Sequence, residues 1–159
     1  MGVEARSWGL RAGEVVSVDR RNRPGSGQRD FVVLVPGGMS DLPMVVPEGS
    51  TAAPYIELIM GIEQHEFWAS GLLKLTAEYP FAQCTFFDLH HTVPFGGELG
   101  GGSDLSAFLF VEPRFLPEDL NRFEFRGRQI RFLQAVAITT AEHRFAISHG
   151  SDRLEALLE

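Results

Sequence analysis

The sequence has one cysteine, no long apolar run and no apolar N-terminal core, and each absence excludes a class of protein. The lone Cys84 excludes an intramolecular disulfide and a Cys-x-x-Cys metal motif, so a reducing cytoplasm is the expected compartment. The longest apolar runs, residues 31–35 and 105–111, are far shorter than the roughly 20 residues that cross a bilayer. The first residues do not form the apolar core of a secretory signal peptide. We therefore expect a cytoplasmic protein that does not bind membranes.

Basic residues are scarce in the middle of the chain, where Lys74 is the single lysine of the sequence. Residues 41–110 carry one basic residue against nine acidic ones, a net charge of −8, whereas the whole chain carries −7. Phosphate contacts require Lys and Arg, so this balance argues against a nucleic-acid binder. The acidic middle suits a basic protein partner, and the alternative explanation is that it only maintains solubility.

The remaining composition is that of an ordinary globular domain. With 159 residues, of which 44% are hydrophobic, the chain can bury a core of its own without a metal or disulfide. Strand-forming segments come first and in clusters, and helical patterns follow in the middle and at the end. This order predicts an α+β fold, with a mixed, largely antiparallel sheet packed against a few helices. We expect one domain over residues 1–159, with a loose N-terminal arm over residues 1–12.

Local patterns predict the individual elements. β-Branched and apolar runs predict strands at residues 14–19, 31–35, 44–46, 55–62, 85–87, 105–111, 123–125 and 129–138. A glycine-rich loop is predicted at residues 90–103. A helix over residues 66–78 is expected to stop at Pro80, with an inward face formed by Phe67, Trp68, Leu72, Leu75 and Tyr79. A capping box at residues 139–142 begins a further helix, and Ser151 begins a last one, with an inward face formed by Leu154, Leu157 and Leu158.

Catalytic motifs are incomplete in this sequence. The glycines of residues 97–102 have the spacing of a phosphate-binding loop, but Ser103 and Asp104 stand where Lys and Ser or Thr are needed. Residues 38–42 lack the second glycine of a nucleophile elbow. Cys84 has no basic neighbour in sequence that would favour its thiolate, so we expect it to pack in the interior. The residues predict no catalytic set and no cofactor.

One alternative stays open, a small metal-binding protein or hydrolase. His90 and His91 are adjacent, and adjacent side chains on an extended segment point to opposite faces, so one ion rarely binds both. A site near Asp88, His91 and Glu142 requires that these residues meet in space, which the sequence alone does not decide.

Several short motifs follow one another in an order that resembles the suppressor-of-fused-like family. A strand leads into a Gly-Met-Ser turn and a Pro-Met pair, and a Glu-Leu strand, a Trp-led helix and a His-Thr-hydrophobic-Pro segment come next. The resemblance covers about residues 30–158. The residues that carry it are, in chain order, Gly38, Met39, Ser40, Asp41, Pro43, Met44, Glu57, Trp68, His91, Glu142 and Gly150.

The resemblance implies a protein-binding scaffold without enzymatic activity. Many bacterial members of the family are thought to act as immunity proteins of polymorphic toxin systems, each neutralising a partner toxin. The animal namesake holds a transcription factor through a short peptide and carries a second domain, whereas this chain looks like the single bacterial domain. The animal peptide-binding cleft is therefore not carried over.

The leading hypothesis is a bacterial, immunity-type member of this family that binds a basic toxin domain. The carboxylates expected to be exposed and to make that contact are Asp41, Glu48, Glu63, Glu66, Glu98 and Asp104. The metal-binding protein or hydrolase is the second hypothesis. A third is a structural homodimer whose acidic surface only maintains solubility.

Overall fold

A seven-stranded mixed sheet organises the protein in the computed structural model, which describes residues 16–17, 32–63, 67–96 and 103–158. The strands are β1 (Val16–Ser17), β2 (Val32–Leu34), β3 (Ile56–Ile62), β4 (Thr92–Pro94), β5 (Leu105–Val111), β6 (Arg122–Phe125) and β7 (Arg128–Thr139). The helices are α1 (Phe67–Ala82), α2 (Thr140–His149) and α3 (Ser151–Leu158), and short 3-10 turns form at Met39–Asp41 and Glu118–Leu120.

The strand order is β1-β2-β3-β7-β5-β4, with β6 paired to the first part of β7. Every pairing is antiparallel except that of β3 with β7, which is parallel. This arrangement confirms the α+β prediction of a mixed, largely antiparallel sheet with a few helices.

Strand β7 is the centre of the sheet because it pairs with three other strands. Its residues 128–131 lie beside β6 and its residues 134–139 beside β5, in succession along one edge. On the opposite edge β3 pairs with residues 131–134, from Ile56 opposite Arg131 to Ile59 opposite Gln134. Arg126 and Gly127, which stand between the predicted strands 123–125 and 129–138, form the turn that joins β6 to β7.

Both faces of the sheet are covered, which explains the nearly continuous apolar runs of β3 and β5. In β5, alternate side chains belong to two different buried clusters. Phe108 and Phe110 belong to the main core, with α1 and β3, while Leu109 and Val111 pack with α2 and α3. Among the described helices, none is both long enough and apolar enough to cross a bilayer.

Helix α1 differs from its prediction in length and in orientation. It continues through Pro80 to Ala82, and the Pro80 ring is fully buried. A proline near the end of a helix removes only one backbone hydrogen bond, and burial of its ring offsets that loss. The predicted inward face is wrong in part, because Leu75 is 65% exposed and Tyr79 46% exposed. The buried positions are Ala69, Leu73, Thr76, Ala77 and Pro80.

Other local predictions also need correction. Residues 44–46 and 85–87 are not strands, although Met44 and Phe87 are buried and the Met44 sulfur accepts a hydrogen bond from the Phe87 N–H at 3.4 Å. The predicted loop 90–103 contains β4. Cys84 is exposed rather than interior.

The C-terminal helices follow the predicted signals at their ends. Thr139 and Glu142 form the capping box that begins α2, which confirms that prediction. In α3, Leu154 is buried as expected, whereas Leu157 is 70% exposed and Leu158 also faces solvent. The first predicted strand was residues 14–19. Its residues 16 and 17 are described by the structure, and they form a strand.

The corrected orientation of α1 predicts a sharp difference between two leucines of the same helix. Leu73→Ala should lower the free energy of unfolding by about 3 kcal/mol, because it removes buried methyl groups and leaves a cavity. Leu75→Ala should change it by less than about 0.5 kcal/mol, because that side chain already lies in water. Urea unfolding of both variants measures the difference, and similar losses in the two would contradict this orientation.

Candidate functional site

The family-motif segment at residues 37–41 forms a tight turn after β2. Gly37 and Gly38 have φ angles of +66° and +86°, in the left-handed region that favours glycine. This conformation directs the chain into the 3-10 turn Met39–Asp41, and the Met39 side chain is 1% exposed within the main core. The glycines therefore allow the reversal, and the methionine anchors it.

A buried carboxylate holds this turn against the sheet. Glu57, on β3, is 7% exposed, and its Oε1 accepts hydrogen bonds from the Ser40 N–H at 2.9 Å and the Ser40 Oγ–H at 2.7 Å. From β7, the Arg128 guanidinium donates to the Asp41 carbonyl at 2.9 Å and lies over the Tyr55 ring. Glu57 Oε2 has no hydrogen-bond partner among the described residues. The Gly-Met-Ser motif is thus a structural connection between the turn, β3 and β7.

The other family-motif residues also have structural surroundings. Met44 is buried, Pro43 is exposed, and Trp68 packs partly against the main core. The His91 ring meets the Phe86 ring edge-on, and its Nδ1 accepts from the Asp88 N–H at 3.3 Å. At Gly150, between α2 and α3, φ is +104°, and an added Cβ would lie 2.5 Å from Asp152 Oδ1.

The alternative metal or hydrolase site is not assembled. The Glu142 carboxylate accepts from the Thr139 N–H and Oγ–H in the capping box. The Asp88 carboxylate pairs with Arg131 at 3.2 Å, and His90 contacts Glu155 at 2.7 Å. Within the described ranges, no three His, Cys, Asp or Glu side chains come together as metal ligands. Asp88, His91 and Glu142 therefore do not form the predicted constellation.

Arg131 is a buried charged residue that the sequence reasoning missed. Its guanidinium bonds Asp88 and Glu112, and so ties β7 to the turn before β4 and to the end of β5. The signal was present in β7, where Arg131 shares a face with Leu133 and Ala135 by strand alternation. A charge in an inward register requires a partner, because an unpaired buried charge is costly.

The predicted contact carboxylates do not form one cluster. Asp41, Glu48, Glu63 and Asp104 are all exposed, and Glu66 and Glu98 lie outside the described residues. Asp41 follows Ser40, which bonds Glu57 near the start of β3, whereas Glu63 follows the end of that strand. At about 3.3 Å per residue, the six residues from 57 to 63 separate the two ends by about 20 Å.

A groove lies beside the last residues of β3 and the middle of β7. Their pairing stops after Ile59 and Gln134, although both strands continue. The groove has a volume of about 400 Å³. Its lining consists of Met60, Gly61, Ile62, Glu63, Trp68, Leu105, Gln134, Ala135, Val136 and Ala137. Asp104 immediately precedes Leu105, so two of the predicted carboxylates, Glu63 and Asp104, lie at this end of the sheet.

Comparison with protein families and known proteins gives a consistent result. The family described as "Suppressor of fused protein (SUFU)" matches residues 11–159. Over 57 residues the chain is 39% identical to the immunity protein YqcF of Bacillus subtilis strain 168. That stretch is 36% of this chain and 30% of the length of YqcF.

Solved structures resemble the fold at low sequence identity. The Sufu-Fu complex structure matches with a TM-score of 0.65 and 19% identity, over 87% of this chain and 66% of that one. Drosophila Suppressor of Fused matches with a TM-score of 0.55 and 14% identity, over 74% of this chain and 31% of that one. A SUFU homologue from Neisseria gonorrhoeae FA 1090 matches with a TM-score of 0.55 and 18% identity, over 91% and 79%. At these identities the likeness establishes the fold.

The role of Glu57 can be tested by removing each side of its contact with Ser40. Ser40→Ala deletes one hydrogen bond and should cost about 1 kcal/mol of unfolding free energy. Glu57→Ala should cost about 3 kcal/mol, because it leaves both the N–H and the hydroxyl of Ser40 without their acceptor. Glu57→Gln keeps the volume and an acceptor oxygen, so it should recover most of that loss. Chemical denaturation measures the unfolding free energy of all three variants. Equal losses for Glu57→Ala and Glu57→Gln would show that the hydrogen bonds accepted by Glu57 do not contribute to stability.

Proposed function

The chain belongs to the suppressor of fused family, as its motifs predicted, and we propose that it is a non-enzymatic immunity protein of a bacterial polymorphic toxin system. In this proposal it binds a toxin domain in the cytoplasm and neutralises it. The observation that carries the proposal is the 39% identity to the immunity protein YqcF over 57 residues. The structural role of the family-motif residues supports a scaffold, because Ser40, Glu57 and Glu142 are engaged in holding turns and helix ends.

Charge supports a basic partner. Residues 41–110 carry −8, and the four described contact carboxylates in that segment are exposed. A field of one sign accelerates the encounter with an oppositely charged protein and suppresses binding of acidic ones. A toxin domain rich in Lys and Arg is therefore the partner that this charge favours.

The direct test is neutralisation of a toxin encoded beside this chain's gene. Expression of that toxin domain alone should stop bacterial growth, and coexpression with this chain should restore it and allow the two proteins to be purified together. An immunity protein of an unrelated system serves as the control. Growth arrest that persists despite abundant folded chain would contradict the proposal.

Charge reversal tests where the partner approaches. The fourfold Lys variant of Asp41, Glu48, Glu63 and Asp104 should slow association with the toxin domain at least tenfold at low salt and weaken its salt dependence. Stopped-flow or surface plasmon resonance measures the association rate at several salt concentrations.

A matched variant controls for net charge alone. It reverses four exposed acids outside the acidic segment, Glu118, Asp119, Glu124 and Asp152, and so changes the formal charge by the same amount. If the two variants slow association equally, the predicted surface has no special role.

A further inference from the structure

We propose that two copies of this chain associate through the outer edge of β6, where the strand of one copy pairs with the same strand of the other in antiparallel orientation. The proposal concerns self-association and goes beyond the proposed immunity function, which does not depend on it. The partner of this edge is therefore a second copy of the sequence Arg-Phe-Glu-Phe at residues 122–125.

The outer edge of β6 is open within the part of the chain that the structure describes. There, β6 pairs with β7 on one side and with no strand on the other. Arg122 and Glu124 are exposed, and Phe125 is 52% exposed although it is a large apolar residue. The strand at the far edge of the sheet, β4, includes Pro94, which has no N–H to donate. β6 contains no proline, so its whole backbone can take part in pairing.

The turn between β6 and β7 fixes the hydrogen-bonding pattern of the hairpin. Arg126 and Gly127 both have positive φ, +51° and +73°, which is typical of a two-residue hairpin turn. In such a turn the residues on either side form a hydrogen-bonded pair, and here these are Phe125 and Arg128. The backbone groups of Phe125 are therefore directed toward β7 and not toward the outer edge.

The next residues of β6 alternate in direction from this starting point. Hydrogen-bonded and non-hydrogen-bonded pairs alternate along an antiparallel ladder, so Phe123 also bonds to β7. The bond from the Phe132 N–H to the Asn121 carbonyl, at 2.9 Å, continues the same alternation. The N–H and C=O groups of Arg122 and Glu124 consequently point outward, and these are the groups that the edge offers to a second strand.

Charge selects one register for the pairing of two such edges. A symmetric antiparallel pair places outward residues opposite each other, so within β6 the choices are Arg122 with Arg122, Glu124 with Glu124, or Arg122 with Glu124 of the second copy. The first two oppose like charges, which destabilises a sheet. The third opposes unlike charges, and the two-fold symmetry repeats that pair. Each of these two pairs exchanges both of its backbone hydrogen bonds, so four bonds join the copies.

The side chains on both faces of β6 suit this register. On one face, Arg122 has no ion-pair partner among the described residues, and Glu124 accepts one hydrogen bond, from Gln129 at 3.3 Å. On the other face, Phe123 would lie opposite Phe123 of the second copy at a non-hydrogen-bonded position, where side chains are closest. Phe125 would lie diagonal to Phe123 of the second copy, within reach of its ring. The pairing thus compensates the edge charges and covers the exposed phenylalanine.

Sedimentation and amide hydrogen exchange test the contact in the natural chain. Small interfaces give weak complexes, so the protein should pass from monomer to dimer between micromolar and millimolar concentration. The amides of Arg122 and Glu124 should become protected as the concentration rises, whereas those of Phe123 and Phe125 should change little because they already bond to β7. A chain that stays monomeric to millimolar concentration, or a dimer that leaves the first two amides unprotected, would overturn the proposal.

Charge exchange between two positions tests the register. Arg122→Glu or Glu124→Arg opposes like charges at both pairs and should weaken dimerisation at least about tenfold. The double variant opposes unlike charges again and should dimerise like the natural chain. An equimolar mixture of the two single variants should form a mixed dimer for the same reason. A purely structural role of either residue predicts neither form of recovery.

Two exposed residues on other parts of the chain control for net charge. Arg144→Glu, on α2, and Glu48→Arg make the same changes of charge outside β6, so they should leave dimerisation unchanged. If a single β6 variant does not fold, the exchange measurement on the natural chain still decides the proposal. β6 variants that weaken the dimer no more than these controls, or a folded double variant that stays monomeric, would overturn it.

Discussion

The parallel pairing of β3 with β7 is the interaction on which the rest of the structure depends. It joins residues 56–59 to residues 131–134, far apart in sequence, and it is the one parallel pairing among the described strands. On one side of it lie β1 and β2, and on the other lie β5 and β4. Without these four residue pairs, the N-terminal hairpin and the C-terminal half of the sheet would have no common ladder, and the main core that contains Leu58 and Leu133 would not close.

The two ends of this pairing have different properties. At its start, polar contacts are dense, because Glu57 holds Ser40, and Arg131 holds Asp88 and Glu112. Each of these contacts links segments distant in sequence, so this end is fixed by several connections at once. Beyond its far end, after Ile59 and Gln134, both strands continue without pairing to each other, and residues of both line a groove. One ladder thus has several long-range polar contacts at one end and a groove beside the other.

The sequence was sufficient for the elements whose signal is local. The runs at β3 and β5, the hairpin at Arg126 and Gly127, and the capping box of Thr139 and Glu142 all depend on neighbouring residues. The orientation of α1, by contrast, did not follow from a local signal in the sequence. Its buried face consists largely of small residues such as Ala69 and Ala77, so the larger Leu75 and Tyr79 dominated the hydrophobic pattern while lying in solvent.

The candidate site was predictable in its parts but not in its geometry. The order of the motifs indicated the family, yet the function of Glu57 as an acceptor depends on Ser40, which is 17 residues away. Asp88 looked like a candidate metal ligand because the sequence does not reveal its ion-pair partner. That partner is Arg131, which lies 43 residues away along the chain. The groove had no signal in the sequence, since its lining comes from β3, β7, α1 and β5, which are brought together only by the fold.

The position of the carboxylates changes the interpretation of the net charge. The ends of β3 are separated by about 20 Å, which exceeds the screening length of about 8 Å at physiological salt. Asp41 and Glu63 therefore act on a partner largely independently, and the −8 of residues 41–110 cannot be treated as one patch. A field spread in this way accelerates encounter without defining an orientation. Orientation of a bound partner therefore needs short-range, directional contacts in addition to this charge.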